Sequence, residues 1–268
     1  MKVLLIGDIV GRPGRVAMER LVVPLREERG IDFVVANCEN AAGGAGITPN
    51  TADELFRAGV DVLTSGNHVW KKREAFDLLK LDHRILRPAN YPDGAPGSGS
   101  TVVEALSGQK VGILNVMGRV FMEALDCPFR TAERELARLK LATPTIIVDM
   151  HAEATSEKVA MGWFLDGKVS CVFGTHTHIP TADERILPQG TAFITDVGMT
   201  GPYDSVIGRR TDQILERFLS NIPNRSEVAE GNIQLRGLLV EINPATGKAL
   251  SVERIAKRLD GAIRDNRD

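Results

Sequence analysis

The apolar stretches of this chain are short, and the residues that end them are of one chemical kind. Runs such as Val3 to Ile6, Phe33 to Ala36 and Val169 to Phe173 are too brief for one-sided helices and read as strands buried on both faces. The residues that follow such runs are Gly7-Asp8, Glu39-Asn40, Gly66-Asn67-His68, His151 and Gly174-Thr175-His176-Thr177-His178. The sequence holds only 5 histidines, and His68, His151, His176 and His178 all sit at these ends. In α/β sheets, ligands bind beyond the carboxyl ends of the strands, so these side chains are expected along one sheet edge.

The segments between the runs set the topology. Arg15 to Glu28 has an amphipathic helical pattern, with Pro24 as a point where it would kink or stop. Thr48-Pro49 reads as an N-cap and first helical residue, opening a helix through Phe56. The spacing predicts a charged helix over Lys71 to Lys80. The resulting βαβαβα order implies parallel strands and right-handed crossovers. Thr101 to Leu106 and Lys110 to Val116 flank Ser107-Gly108-Gln109 as a hairpin. A helix is expected over Thr131 to Leu141, with strands at Thr145 to Val148 and Val169 to Phe173; beyond these the pattern changes, and Ala192 to Thr195 is short and apolar. Gly198 to Gly208 reads as a loop and Asp212 to Leu219 as a helix. Leu235 to Ile242 and Leu250 to Ile255 form an antiparallel pair around Asn243 to Gly247. With no repeat or low-complexity linker, residues 1–268 are expected to form a single α/β domain. It would contain two packed mixed β-sheets flanked by helices.

Composition narrows the partners. The 268 residues are 43% hydrophobic and 25% charged, with a formal net charge of -2 and no long block of one sign. That balance lacks the basic footprint of a duplex nucleic-acid binder. Cys38, Cys127 and Cys171 have no Cys-x-x-Cys spacing, which argues against a disulfide framework or an all-cysteine zinc site. The first apolar run is too short for a signal-peptide core, and no stretch has spanning length, so the expected location is cytoplasmic, with no membrane partner.

Taken singly, most of the run-end motifs have ordinary readings as turns, caps or core histidines. Gly-Thr-His-Thr-His is the exception, because histidines at i and i+2 of extended backbone aim their rings in a common direction. Together, one Asp, one Glu, two Asn and several His suit two divalent cations held side by side. Cations about 3.5–4 Å apart repel unless an anion bridges them, and a carboxylate such as Glu39 does so. The other ligand types are mostly neutral, so the pair keeps a positive charge that attracts phosphate and acidifies a shared water. Nitrogen and oxygen ligands admit iron, manganese or zinc. Cys38 and His83 stay outside the set.

The order of the motifs resembles the calcineurin-like metallophosphoesterase superfamily. Two departures, Asp8-Ile9-Val10 in place of Asp-x-His and Cys38-Glu39-Asn40 in place of Gly-Asp, are similar to its bacterial YmdB-like phosphodiesterases. So are Gly-Asp-Ile-Val-Gly-Arg-Pro-Gly at 7–14 and Gly-Met-Thr-Gly-Pro at 198–202. The resemblance implies a four-layer αββα sandwich. It implies Asp8, Asn40 and His178 as ligands of one metal, Asn67, His151 and His176 as ligands of the second, and Glu39 as the bridge. His68 would not ligate but would donate a proton to the leaving oxygen. The implied cofactor is two divalent or mixed-valence ions, with iron favoured and manganese or zinc as alternatives. The implied reaction is hydrolysis of a small phosphoester by a metal-bridging hydroxide, with 2′,3′-cyclic and 3′,5′-cyclic nucleotides as the substrate class. A broad phosphomonoesterase, a non-catalytic metal-binding regulatory scaffold and a metal-dependent amide or ester hydrolase are the competing readings. A homo-oligomer is compatible with all of them. The loops Ala42 to Gly46 and Gly198 to Gly208 are candidates for the rim of the pocket.

Overall fold

Successive side chains of the first strand point to opposite sides, and both sides are covered. The computed structural model describes residues 1–261. β1 (Lys2–Ile6) sends Leu4 and Ile6 into a core shared with helices, and Val3 and Leu5 into a core shared with a second sheet. Burial on both faces is why the strand is an unbroken apolar run. The chain continues through β2 (Asp8–Ile9), α1 (Gly11–Arg29), β3 (Phe33–Asn37), α2 (Pro49–Arg57), β4 (Val62–Thr64) and α3 (Ala75–Leu81). Next come β5 (Ser100–Glu104), β6 (Lys110–Met117), α4 (Pro128–Leu139), β7 (Ile146–His151), α5 (Thr155–Leu165) and β8 (Cys171–Thr175). The last elements are β9 (Arg185–Ile186), β10 (Ala192–Ile194), β11 (Met199–Pro202), α6 (Thr211–Ser220), β12 (Ile233–Ile242) and β13 (Ala249–Arg258).

One sheet has the order β2-β11-β12-β1-β3-β4, with β13 also paired to β12. Its β1, β3 and β4 are parallel, and β12 runs against β1. The other sheet has the order β5-β6-β7-β8-β10-β9, with β6, β7, β8 and β10 parallel. Val3, Leu5 and Phe33 of the first sheet meet Ile113, Ile147 and Phe173 of the second in the central core. Met18 and Val22 of α1 and Leu55 of α2 cover the outer face of the first sheet. Leu136 of α4 with Met161 and Leu165 of α5 cover the second. The result is the helix–sheet–sheet–helix layering that the sequence implied. Among the described residues no helix is long and apolar enough to cross a membrane.

Thr48 caps α2 as expected: its backbone N–H donates to Thr51 Oγ1 at 2.9 Å, and Thr51 N–H donates back to Thr48 Oγ1 at 3.4 Å. Four local expectations need correction. α1 does not stop at Pro24 but continues to Arg29, because Pro24 and Arg20 lie on the exposed side, where the unpaired carbonyl meets water. α3 begins at Ala75 rather than Lys71. Three successive cations, Lys71, Lys72 and Arg73, oppose the positive end of a helix, and this stretch forms turns instead. Part of the expected loop from Gly198 is strand β11, which joins β2 to β12. Helix α5 was not anticipated, because Glu157 and Lys158 lie buried in it and break its apolar period.

Candidate metal centre

The strand ends do gather. Asp8 opens β2, just after β1. Glu39 and Asn40 follow β3, Asn67 and His68 follow β4, His151 ends β7, and His176 and His178 follow β8. These are carboxyl ends of parallel strands from both sheets, so the cluster sits where the two sheets open at one end. It forms the floor of a cleft of about 390 Å³, whose walls include Val10, His68, Glu153, Ile207 and Arg209.

At His151, ligand-type atoms from three other segments converge. Its Nε2 lies 3.2 Å from Glu39 Oε2, 3.1 Å from Asn67 Oδ1 and 3.1 Å from His176 Nδ1. Glu39, His151 and His176 also form a group whose ligand atoms all lie within 4.8 Å of one another. On the other side, His178 Nε2 lies 3.1 Å from the Asn40 amide and 3.8 Å from Asp8 Oδ1. Glu39 Oε1 faces that amide at 3.1 Å. Glu39 therefore presents one oxygen to each half of the cluster. His68 stands at the edge, with Nδ1 2.7 Å from Asn40 Oδ1 and its backbone N–H donating to Glu39 Oε2 at 3.1 Å.

The outer nitrogens of three histidines are occupied by acceptors. His178 Nδ1 lies 2.9 Å from the Ile207 carbonyl, which can only accept, so Nδ1 carries the proton. Thr175 Oγ1 donates to Asp149 Oδ1 at 2.7 Å, so it accepts from His151 Nδ1 at 2.9 Å. His176 Nε2 lies 3.1 Å from the Glu153 carboxylate. Each arrangement leaves the inner nitrogen free to take a cation, which is how histidines that bind metals are oriented. Asp8 Oδ1 is fully buried and accepts no hydrogen bond, an expensive state for a carboxylate unless a cation sits against it. The donor set and this orphaned oxygen both fit divalent metal.

Electrostatics point the same way. Burial raises the Asp8 carboxyl above its ordinary range, against the pull of His178. Burial also opposes the charge on Glu39, but the His151 ring and then His68 outweigh it and hold the carboxyl far below the usual carboxylate range. Burial works against a charge on His151 too, yet Glu39 lifts its pKa to about 9. A cation bound there would compete with a proton on His151. Burial, and next the His151 charge, hold His176 down to about 3, a neutral ring.

Two features of the backbone explain the glycine-bearing motifs. A Cβ on Gly66 would fall 2.1 Å from His151 Nε2 and 2.4 Å from Glu39 Oε2, so a side chain there would displace the cluster itself. The histidine pair does not use extended backbone, as the spacing implied. His176 has φ 96° and His178 φ 66°, the left-handed region that costs a non-glycine residue about 1–3 kcal/mol. Asp196 fixes this turn, accepting from Thr177 N–H at 3.2 Å and Thr177 Oγ1 at 2.7 Å. Lys158 of α5 neutralises Asp196 at 2.6 Å, both fully buried.

Behind the cluster, Asp149 accepts from Thr64 Oγ1 at 2.5 Å, Asn37 Nδ2 at 3.1 Å and Thr175 Oγ1 at 2.7 Å, joining β3, β4, β7 and β8. Burial raises its pKa to about 6. Cys38 is buried in the helix-side core, which pushes its thiol up, and His83 is exposed. The sequence did not single out Glu153, Asp196, Lys158, Arg209 or the Ile207 carbonyl. Of these, Glu153 carried a signal as a carboxylate two residues beyond His151, and Ile207 lies in the Gly198 to Gly208 loop expected at the rim of the pocket.

The family model described as YmdB-like protein matches residues 4–255. A Bacillus subtilis protein named 2′,3′-cyclic-nucleotide 2′-phosphodiesterase is 48% identical, over 95% of this chain and 96% of its own. A solved structure of a hypothetical protein from Thermus thermophilus has a TM-score of 0.91 at 40% identity, covering 96% of this chain and 99% of that one. A solved structure titled as a novel phosphatase from Mycoplasma pneumoniae has a TM-score of 0.90 at 34% identity, covering 96% and 93%.

Proposed function

The chain belongs to the YmdB-like family and is a phosphoester hydrolase, and from that premise we propose that it is a two-metal phosphodiesterase that opens 2′,3′-cyclic nucleotides. One observation carries the reading: His151, His176 and His178 each have the outer nitrogen engaged by an acceptor, with the inner nitrogen turned toward the cluster formed with Glu39 and Asp8. Asp8, Asn40 and His178 would hold one cation, Asn67, His151 and His176 the other, and Glu39 both. When bound, the cations supply Lewis acidity toward the phosphoryl oxygens and lower the pKa of a shared water.

The chain's own side chains do the rest. Asn40 Oδ1, 2.7 Å from His68 Nδ1, can accept its N–H, so that a protonated His68 gives up the proton on Nε2. His68 is the proton donor to the oxygen that leaves phosphorus when the cyclic diester opens. Burial lowers its pKa, which makes the imidazolium a stronger acid and makes donation fall off as the pH rises. The cleft of about 390 Å³ is within the size range of small-ligand sites and admits one nucleotide.

The test is a substrate screen of protein loaded in turn with iron, manganese and zinc. The panel holds 2′,3′-cyclic and 3′,5′-cyclic nucleotides, linear diesters and monoesters. The highest kcat/KM is expected on a 2′,3′-cyclic nucleotide, with activity abolished by a chelator and restored by metal. Full activity after exhaustive chelation, or turnover of monoesters alone, would overturn the reading.

A further inference from the structure

A second cleft, of about 690 Å³, adjoins the metal-centre cleft and shares Arg209 with it. Its walls carry Lys72, Arg209 and Arg225, with Glu227 as the one acid among the residues that line it. The Glu227 carboxylate is already held by Arg210 at 3.1 Å. Neither Lys72 nor Arg225 makes an ion pair among the described residues. Arg209 is half-buried and meets no carboxylate either. Its guanidinium donates to the carbonyls of Gly44 at 2.5 Å and Ser226 at 3.3 Å. Burial alone lowers its pKa, with no anion to offset the cost. Gly44, at φ 88°, makes this contact possible: a Cβ there would fall 2.7 Å from the guanidinium.

A half-buried cation without an anion, flanked by two more, is a site prepared for a negative ligand. The chain has a formal net charge of -2, so this local excess of positive charge is not a property of the whole surface. We propose that the cleft of Lys72, Arg209 and Arg225 is a subsite for a second phosphate. The ligand is the next phosphodiester of a short single-stranded oligoribonucleotide whose 2′,3′-cyclic end lies at the metal centre. The proposal rests on the phosphodiesterase reading above and narrows its substrate from mononucleotides to RNA ends. Ala42, Ala45 and Val228 line the same cleft and give an apolar surface for a base or sugar. Arg209 borders both clefts and contacts the chain between the two phosphates.

The test compares kcat/KM for adenosine 2′,3′-cyclic phosphate and for the diadenylate ending in a 2′,3′-cyclic phosphate. The metal-loaded wild type and a Lys72→Gln/Arg225→Gln variant are used. Both side chains lie at the surface of the cleft, so the fold is not at stake. The wild type is expected to prefer the dinucleotide by about tenfold, the scale of one charge-assisted contact. In the variant this ratio falls toward one. Raising the salt concentration should likewise erode the wild-type ratio, and leave the variant's ratio flat. Equal kcat/KM for the two substrates in the wild type, or an unchanged ratio in the variant, would overturn the subsite while leaving the phosphodiesterase reading intact. Failure to hydrolyse either substrate would reject that reading itself.

Discussion

Glu39 Oε2 lies 3.2 Å from His151 Nε2, and Glu39 Oε1 lies 3.1 Å from the Asn40 amide. A Glu39→Gln variant keeps the volume and loses the one charge shared by both halves of the cluster. Its metal content is expected to drop, and its turnover to fall by more than about 100-fold, the upper scale for perturbing a metal ligand's surroundings. Metal analysis beside hydrolysis of bis-p-nitrophenyl phosphate measures both; full activity would remove the bridging role. His68→Ala should behave differently, holding both cations while kcat falls about 10²–10⁴-fold. Loss of metal in that variant would make His68 a ligand. Glu39 and His68 were legible in the sequence because each follows a strand, and histidine is scarce, with 5 in 268 residues. Their supports were not. Ile207 acts through a carbonyl, which every residue has, and Thr175 differs from any buried threonine only by what stands next to it.

Between elements, the most consequential contact is the Lys158–Asp196 pair, which ties α5 to the segment after β10. Asp196 also accepts from Thr177 and from Gly198 N–H, so it anchors the left-handed turn that carries His176 and His178. Lys158→Met leaves this carboxylate buried without a counter-charge, at a cost of about 3–5 kcal/mol. Urea unfolding would measure the loss, and Lys158→Met/Asp196→Asn should recover part of it. A loss below about 1 kcal/mol would show that the pair is dispensable. This contact also explains why α5 escaped the sequence: periodicity marks a helix by apolar residues on its inner face, and here that face holds an ion pair and Glu157. By contrast α2 announced itself, since Thr48-Pro49 places a cap and a fixed φ where nothing from elsewhere in the chain is needed.

At the scale of the molecule, the cluster joins two sheets that the central core already holds together. Asp8, Glu39 and Asn67 follow strands of one sheet, and His151, His176 and His178 belong to the other. The parallel order of the first three strands was readable from alternation, but not the division of the later strands into a second sheet. Strand partnership depends on which faces are covered, and short apolar runs look alike whichever sheet they join. Because the apolar core between the sheets does not depend on metal, the chelated protein should stay folded and unfold cooperatively. Cations that bind only the folded chain add stability by mass action, about 2.7 kcal/mol at a hundredfold excess over Kd. For a chain of this size, that corresponds to a rise in Tm of about 5–10 °C. His151→Ala should abolish most of the rise, because its ring contacts Glu39 from the other sheet. Thermal melts of chelated and manganese-loaded protein, wild type and variant, give the comparison. A Tm indifferent to metal in the wild type would mean that the strand ends do not close on a cation at all.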